Sequence, residues 1–274
     1  LPLDATPATL AKIGASLDRA DQLGEAEKLD LVGWIRGRDS FDSDGDGDRL
    51  ERRPWLLGAP LHSRPLAINY GARSGTAYSA ANPDIRIFFG SNDGFVHLLQ
   101  NTTESGDESG RETWAFIPPE LLHMQSRLAQ SPADSLQSVL YGMDGEAVAL
   151  VLDRDRDGNV EVDEGDTVMV VIGQRRGGSA LYAFDISDPD HPRFGWKIDS
   201  HTPGFEQLAL TFSTPRVARL DLGGSTPTPV LVFAGGYNGG WDDARRVGKD
   251  VGAASDMIGN AIFARYLGFP NIPG

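Results

Sequence analysis

The chain contains no cysteine, which removes disulfide frameworks, thiolate metal sites and cysteine nucleophiles from consideration. It also lacks any apolar run approaching the roughly 18–20 residues that span a bilayer, and its first residues lack the basic-then-apolar order of a signal peptide. Leu1 is accordingly expected to be an internal residue of a larger precursor. Positive charge is scarce: 25 Lys and Arg stand against 39 Asp and Glu, for a net charge of −14. That balance opposes non-specific binding to nucleic acid or an anionic membrane and favours divalent cations as partners. Histidine is sparse as well. His62, His97, His123, His191 and His201 show neither metal-ligand spacing nor local pairing with a nucleophile, and no G-x-S-x-G, H-E-x-x-H or phosphate-binding glycine loop occurs. No enzymatic activity is expected.

What is abundant is punctuation. Thirty-three glycines and 17 prolines in a chain with 40% hydrophobic residues suit many short strands joined by tight turns. The first 41 residues are the exception and read as a helical lead-in. Thr6-Pro7 is a capped helix start followed by Leu10, Ile13 and Leu17 at helical spacing, and a second apolar set, Leu29, Val32 and Ile35, stops at Gly37. From residue 42 to 274 the pattern is that of strands. Ile85 to Leu99 and Val168 to Asp185 each read as an apolar strand, a glycine turn and a second apolar strand, and Val230 to Tyr237 begins a third such unit that resumes at Gly259 to Phe263.

Gly90, Gly173 and Gly235 mark equivalent turns, spaced more widely than the roughly 40–50 residues of a minimal propeller blade, so insertions are expected. Trp114 and Trp196 follow two of the hairpins in similar places, as if each unit closed with an outer strand carrying an aromatic. The expected fold is all-β dominated: a partial or modified β-propeller, since three units do not close a ring. Trp114, Trp196 and Trp241 are read as core or blade-closing residues rather than a sugar platform. Arg175 and Arg176 are read as exposed turn cations.

The most chemically specific stretch runs from Asp153 to Glu164. Asp153, Asp155, Asp157, Glu161 and Glu164 occupy loop positions 1, 3, 5, 9 and 12, with Gly158 at position 6 and the carbonyl of Asn159 at position 7. This spacing turns successive oxygens inward onto a hard cation, and Ca2+, with 6–8 oxygen ligands at flexible angles, suits it better than Mg2+. The flanks read as strands, so the loop is expected between strands and not in an EF-hand. A weaker second loop offers Asp42, Asp44, Asp46 and Asp48 around Gly47, but positions 9 and 12 are Leu50 and Arg53. Closure there would fall to Glu51 or Asp39.

Four phrases carry a family resemblance: DGDGDRLERRPWLLGAPLHSRP, IFFGSNDGFVHLL, GRETWAFIPPELL and VMVVIGQRRGGSALYAFDISDP. Together they resemble the type IV pilus tip-associated adhesins of the PilY kind, in their C-terminal propeller domain. The resemblance implies a modified propeller whose calcium loop is linked to pilus extension and retraction, surface attachment and twitching. It implies Asp153, Asp155, Asp157, the Asn159 carbonyl and Glu161 as Ca2+ ligands, with Glu at the ninth position a departure from the family. It also implies minor pilins or assembly components as partners, with a host or abiotic surface beyond them. The implied place is outside the cell, at the pilus tip or outer membrane, after passage through the periplasm. The competing expectation is a propeller enzyme such as a quinone-dependent dehydrogenase.

Overall fold

The computed structural model describes residues 24–130, 140–161, 164–221, 223, 228–238 and 258–266. The helix expected at Leu10 to Leu17 and Trp241 lie outside the described residues. Helix α1, Glu25–Ile35, opens with the Glu27 carboxylate accepting the Gly24 N–H at 2.8 Å, which satisfies one orphan donor of the first turn. It ends where Gly37 takes φ +93 and donates its N–H to the Trp34 carbonyl.

Eleven strands form three antiparallel sheets among the described residues. The first has β1 (Leu66–Asn69), β2 (Ile85–Gly90), β3 (Val96–Gln100) and β4 (Glu112–Phe116) in chain order. Helix α2, His123–Gln130, follows. The second sheet has β5 (Val148–Leu152), β6 (Thr167–Gly173), β7 (Leu181–Asp185) and β8 (Arg193–Ile198). The third has β9 (Arg216–Leu220), β10 (Thr228–Ala234) and β11 (Ile262–Tyr266). The three expected hairpin units are the pairs β2–β3, β6–β7 and β10–β11.

Sheet two lies between the other two, and the two-residue period of its strands shows how. Val168, Val170 and Ile172 of β6, with Tyr182 and Phe184 of β7, share a core with Phe88, Val96 and Leu98 of the first sheet and with Leu31, Val32 and Ile35 of α1. The alternate residues Met169, Val171, Leu181 and Ala183 pack with Leu231 and Phe233 of the third sheet. A strand buried on both faces has no polar side, which is why β6 reads as an unbroken apolar run. Sheets one and two also repeat a detail. Trp114 pairs with Leu98 and Trp196 with Ala183, each on the last strand and each beside a register shift, so the two tryptophans are equivalent as the sequence suggests. Among the described residues the three sheets do not close a ring.

Candidate metal centre

The loop from 153 to 166 connects β5 to β6, which pair directly, so it is a strand-to-strand loop as the flanking patterns indicate. Its acids converge because each carboxylate is held by backbone N–H groups farther along the loop. Asp153 Oδ2 accepts the Gly158 N–H at 2.9 Å and Oδ1 accepts that of Arg156. Asp155 Oδ1 accepts the Asp157 N–H at 3.2 Å, and Asp157 Oδ1 accepts the Asn159 N–H at 2.8 Å. Gly158 makes the sharp turn at φ +92, a conformation glycine adopts without steric cost.

The result brings one oxygen from each of Asp153, Asp155 and Asp157 within 4.8 Å of one another. Desolvation pushes Asp153 upward, but the Gly158 and Arg156 N–H groups outweigh it and hold its carboxyl below the usual range. Arg154 and Arg156 alternate with these acids and are both exposed; the Arg154 guanidinium donates from Nε to the Gly165 carbonyl at 2.8 Å.

Glu161 does not belong to that tight triad, yet one of its oxygens is left unsatisfied. Its Oε2 is buried without a hydrogen-bond partner among the described residues. Desolvation first, then the charges of Asp157, Glu164, Asp166 and Asp155, raise its carboxyl above the usual range. Glu164 is exposed and also stands outside the triad. Sequence reasoning missed Asp166, which is 2% exposed and closes the loop: Oδ1 accepts the Arg154 N–H at 2.9 Å and Oδ2 accepts the Glu161 N–H at 3.1 Å. An acid set directly before a buried strand was the available signal.

The second loop repeats the aspartate turns of the first. Asp42 accepts the Gly47 N–H at 3.1 Å, Asp44 that of Asp46 at 3.3 Å and Asp46 that of Asp48 at 2.7 Å. Asp42, Asp44 and Asp46 form one oxygen cluster, and Asp39, Asp44 and Glu51 form another; Asp48 belongs to neither and accepts the Leu50 N–H. Asp39 is 1% exposed, and its Oδ1 has no partner among the described residues. Glu51 is raised by Asp46 first, then by desolvation and by Asp44, Asp48 and Asp39.

Two sequence readings are corrected. His97 does pair with a nucleophile type: its Nε2 lies 2.9 Å from Ser91 Oγ and its Nδ1 2.8 Å from Glu112 Oε2. Ser91 is only 1% exposed, however, and its hydroxyl is also within reach of Asp93 and of the Phe95 carbonyl. Buried and engaged in this way, it braces the β2–β3 turn. Arg175 is not a solvated turn cation either: its guanidinium donates to the buried Asp144 at 3.2 Å and lies over Phe212. Arg176 is exposed, as the sequence reading has it, and lies over Tyr141 while donating to its hydroxyl.

No protein-family model matches the chain. The type IV pilus biogenesis factor PilY1 of Pseudomonas aeruginosa (strain UCBPP-PA14) is 29% identical over 221 residues, which cover 74% of this chain and 17% of that protein. The PilY1 homolog of Xylella fastidiosa (strain Temecula1) is 28% identical over 213 residues, 73% of this chain and 15% of that protein. The chain thus spans about a sixth of the length of these curated relatives. The crystal structure of the Pseudomonas aeruginosa PilY1 C-terminal domain aligns with a TM-score of 0.37 at 24% identity, over 62% of this chain and 31% of that one.

Proposed function

Since this chain is a PilY-family relative of type IV pilus biogenesis factors, we propose that it is the C-terminal, calcium-binding domain of such a factor. On this reading the three sheets are blades of a modified propeller, and the protein acts outside the cell, at the pilus tip or outer membrane, without catalysing a reaction. Its contacts there are pilins or assembly components, and a surface to which the cell attaches.

The observation that carries the calcium reading is the convergence of Asp153, Asp155 and Asp157 beside a buried Glu161 oxygen that has no partner among the described residues. The donors are all hard oxygens, which suits Ca2+. The N–H groups that orient the aspartates leave further lone pairs free for a cation. Asp153, Asp155, Asp157, the Asn159 carbonyl and Glu161 would hold the ion, with Glu164 as a further carboxylate. The ion would supply the positive charge that this crowd of acids lacks. The second loop, through Asp42, Asp44 and Asp46 with Asp39 and Glu51, is proposed as a weaker site of the same kind.

The loop is well placed to convey occupancy. Asn159 packs against Gly71, where a Cβ would clash with the Asn159 side chain, and Val160 is buried in the core shared by sheets one and two. Ordering of the loop would therefore stiffen the contact between those sheets, and through it the pilus extension and retraction that the factor regulates. Melting in calcium and in chelator tests this. At a hundredfold excess over the dissociation constant, calcium should stabilise the wild type by about 2.7 kcal/mol. Asp157→Ala should melt lower than wild type in calcium and much the same in chelator. In the whole pilus protein the same substitution should alter surface piliation or twitching. Identical melting of the wild type in both buffers, with normal pili in the variant, would remove the loop from the mechanism.

A further inference from the structure

A concavity of about 800 Å³ lies away from the Asp153 loop, between the end of α1, the 50–57 segment and the outer edge of sheet one. Its charge runs against that of the chain. Arg36, Arg38, Arg52, Arg53 and Arg111 all line it, and none of them lies within ion-pair distance of a carboxylate among the described residues. Three acids share the wall: Glu51 belongs to the oxygen cluster with Asp39 and Asp44, Asp93 accepts the Gly58 and Phe95 N–H groups, and Glu112 faces His97. Arg53 is the most telling of the five arginines. Its guanidinium lies 3.8 Å from the Trp34 ring centroid, and its Nε is buried with no hydrogen-bond partner among the described residues.

The same surface leaves apolar groups in water. Leu50 is 76% exposed and Trp55, at the adjoining rim, 80% exposed. Leu56 and Leu57 line the concavity as well. Large exposed apolar side chains beside arginines without a carboxylate partner are the composition of a recognition surface, because one complementary partner satisfies both.

We propose that this concavity binds a short acidic peptide segment of a partner protein, with carboxylates on the arginines and a bulky apolar side chain against Leu50, Leu56 and Leu57. Arginine forks pair bidentately with carboxylates. A nucleic acid or an acidic polysaccharide would satisfy the arginines but bring no apolar group for the leucines. Its long run of charge would also meet the aspartates of the neighbouring 42–48 loop and the net charge of −14. The inference is independent of calcium at the Asp153 loop.

A random-peptide display library selected against the full chain, in calcium-containing buffer, tests it. Enriched peptides should combine Asp or Glu with Leu, Phe or Trp. A labelled synthetic copy should bind in fluorescence polarisation, and its amide counterpart, with Asn and Gln for the acids, should not. Arg52 and Arg111 are exposed, so Arg52→Ala/Arg111→Ala should keep the fold and weaken binding roughly tenfold or more, the scale of losing a charge-assisted hydrogen bond. The exposed β8 and β9 arginines serve as the control, and Arg193→Ala/Arg216→Ala should leave binding unchanged. Absence of acidic-apolar enrichment would overturn the proposal. So would equal binding by the Arg52→Ala/Arg111→Ala variant, or a heparin fragment or oligonucleotide that binds at this site more tightly than any peptide.

Discussion

Asp84→Asn is expected to cost about 3–5 kcal/mol of folding stability in urea denaturation, the scale of breaking a buried ion pair from one side. Asp84 is fully buried and Arg86 is 2% exposed. Arg86 grips it through Nε at 2.6 Å and a terminal nitrogen at 3.0 Å, and Arg73 lies at 3.3 Å. Both arginines then reach Asp190 in the loop after β7, at 3.1 Å from Arg86 and 2.5 Å from Arg73. Two cations and two anions therefore join the first sheet to the second with their charges balanced. Burial pulls the Arg86 guanidinium down, but the bond to Asp84 and the charges of Asp84 and Asp190 outweigh it and raise it above its ordinary value.

Asparagine keeps the shape and one acceptor oxygen but removes the charge, which leaves the buried Arg86 with the 45%-exposed Asp190 side chain as its remaining ion-pair partner. Water can take over from Asp190, so Asp190→Asn should cost no more than about 1 kcal/mol. Equal costs for the two variants would show that the cluster is not organised around Asp84.

Gly90→Ala is the second large effect, expected to cost about 3 kcal/mol, the upper end for an overpacked site. Gly90 ends β2, and its N–H donates to Ser63 Oγ at 2.8 Å. A Cβ there would run into the Met143 carbonyl oxygen, and would lie 2.9 Å from Met143 Cβ and 3.0 Å from the Ile172 side chain. Backbone on one side and core on the other leave no room to yield. Gly204 provides the contrast: it has φ +86, but a methyl group there would meet nothing within 4 Å, so Gly204→Ala should cost only about 1–2 kcal/mol of backbone strain. Thermal melting of the two variants side by side distinguishes close packing from chain conformation. A Gly90→Ala protein as stable as wild type would mean that the sheets are not held this closely.

Gly90 also shows how far the sequence could be read. The equivalence of Gly90, Gly173 and Gly235 was legible, because each follows an apolar strand. Its cause was not: none of the three has positive φ, and each instead lies where another segment of the chain passes closely, at Met143, Thr211 and Gly259. Local spacing revealed the Asp153 triad because all its members sit in one loop, where sequence order and geometry coincide. Asp166 escaped because its role is to accept N–H groups from the two ends of that loop, which no ligand pattern encodes. The Ser91–His97–Glu112 contact depends on strand register across β3 and β4. The Asp84 cluster draws Asp190 from more than a hundred residues away. Five arginines scattered from 36 to 111 acquire meaning only when folding gathers them around one concavity.

Calorimetric titration with calcium tests the central claim most directly, carried out in an Asp44→Ala background so that the second loop is silent. With the Asp153 loop intact, one saturable binding event is expected, and adding Asp155→Ala should abolish it by removing a carboxylate from the triad. No saturable binding in the Asp44→Ala protein, or the same event persisting after Asp155→Ala, would contradict the account.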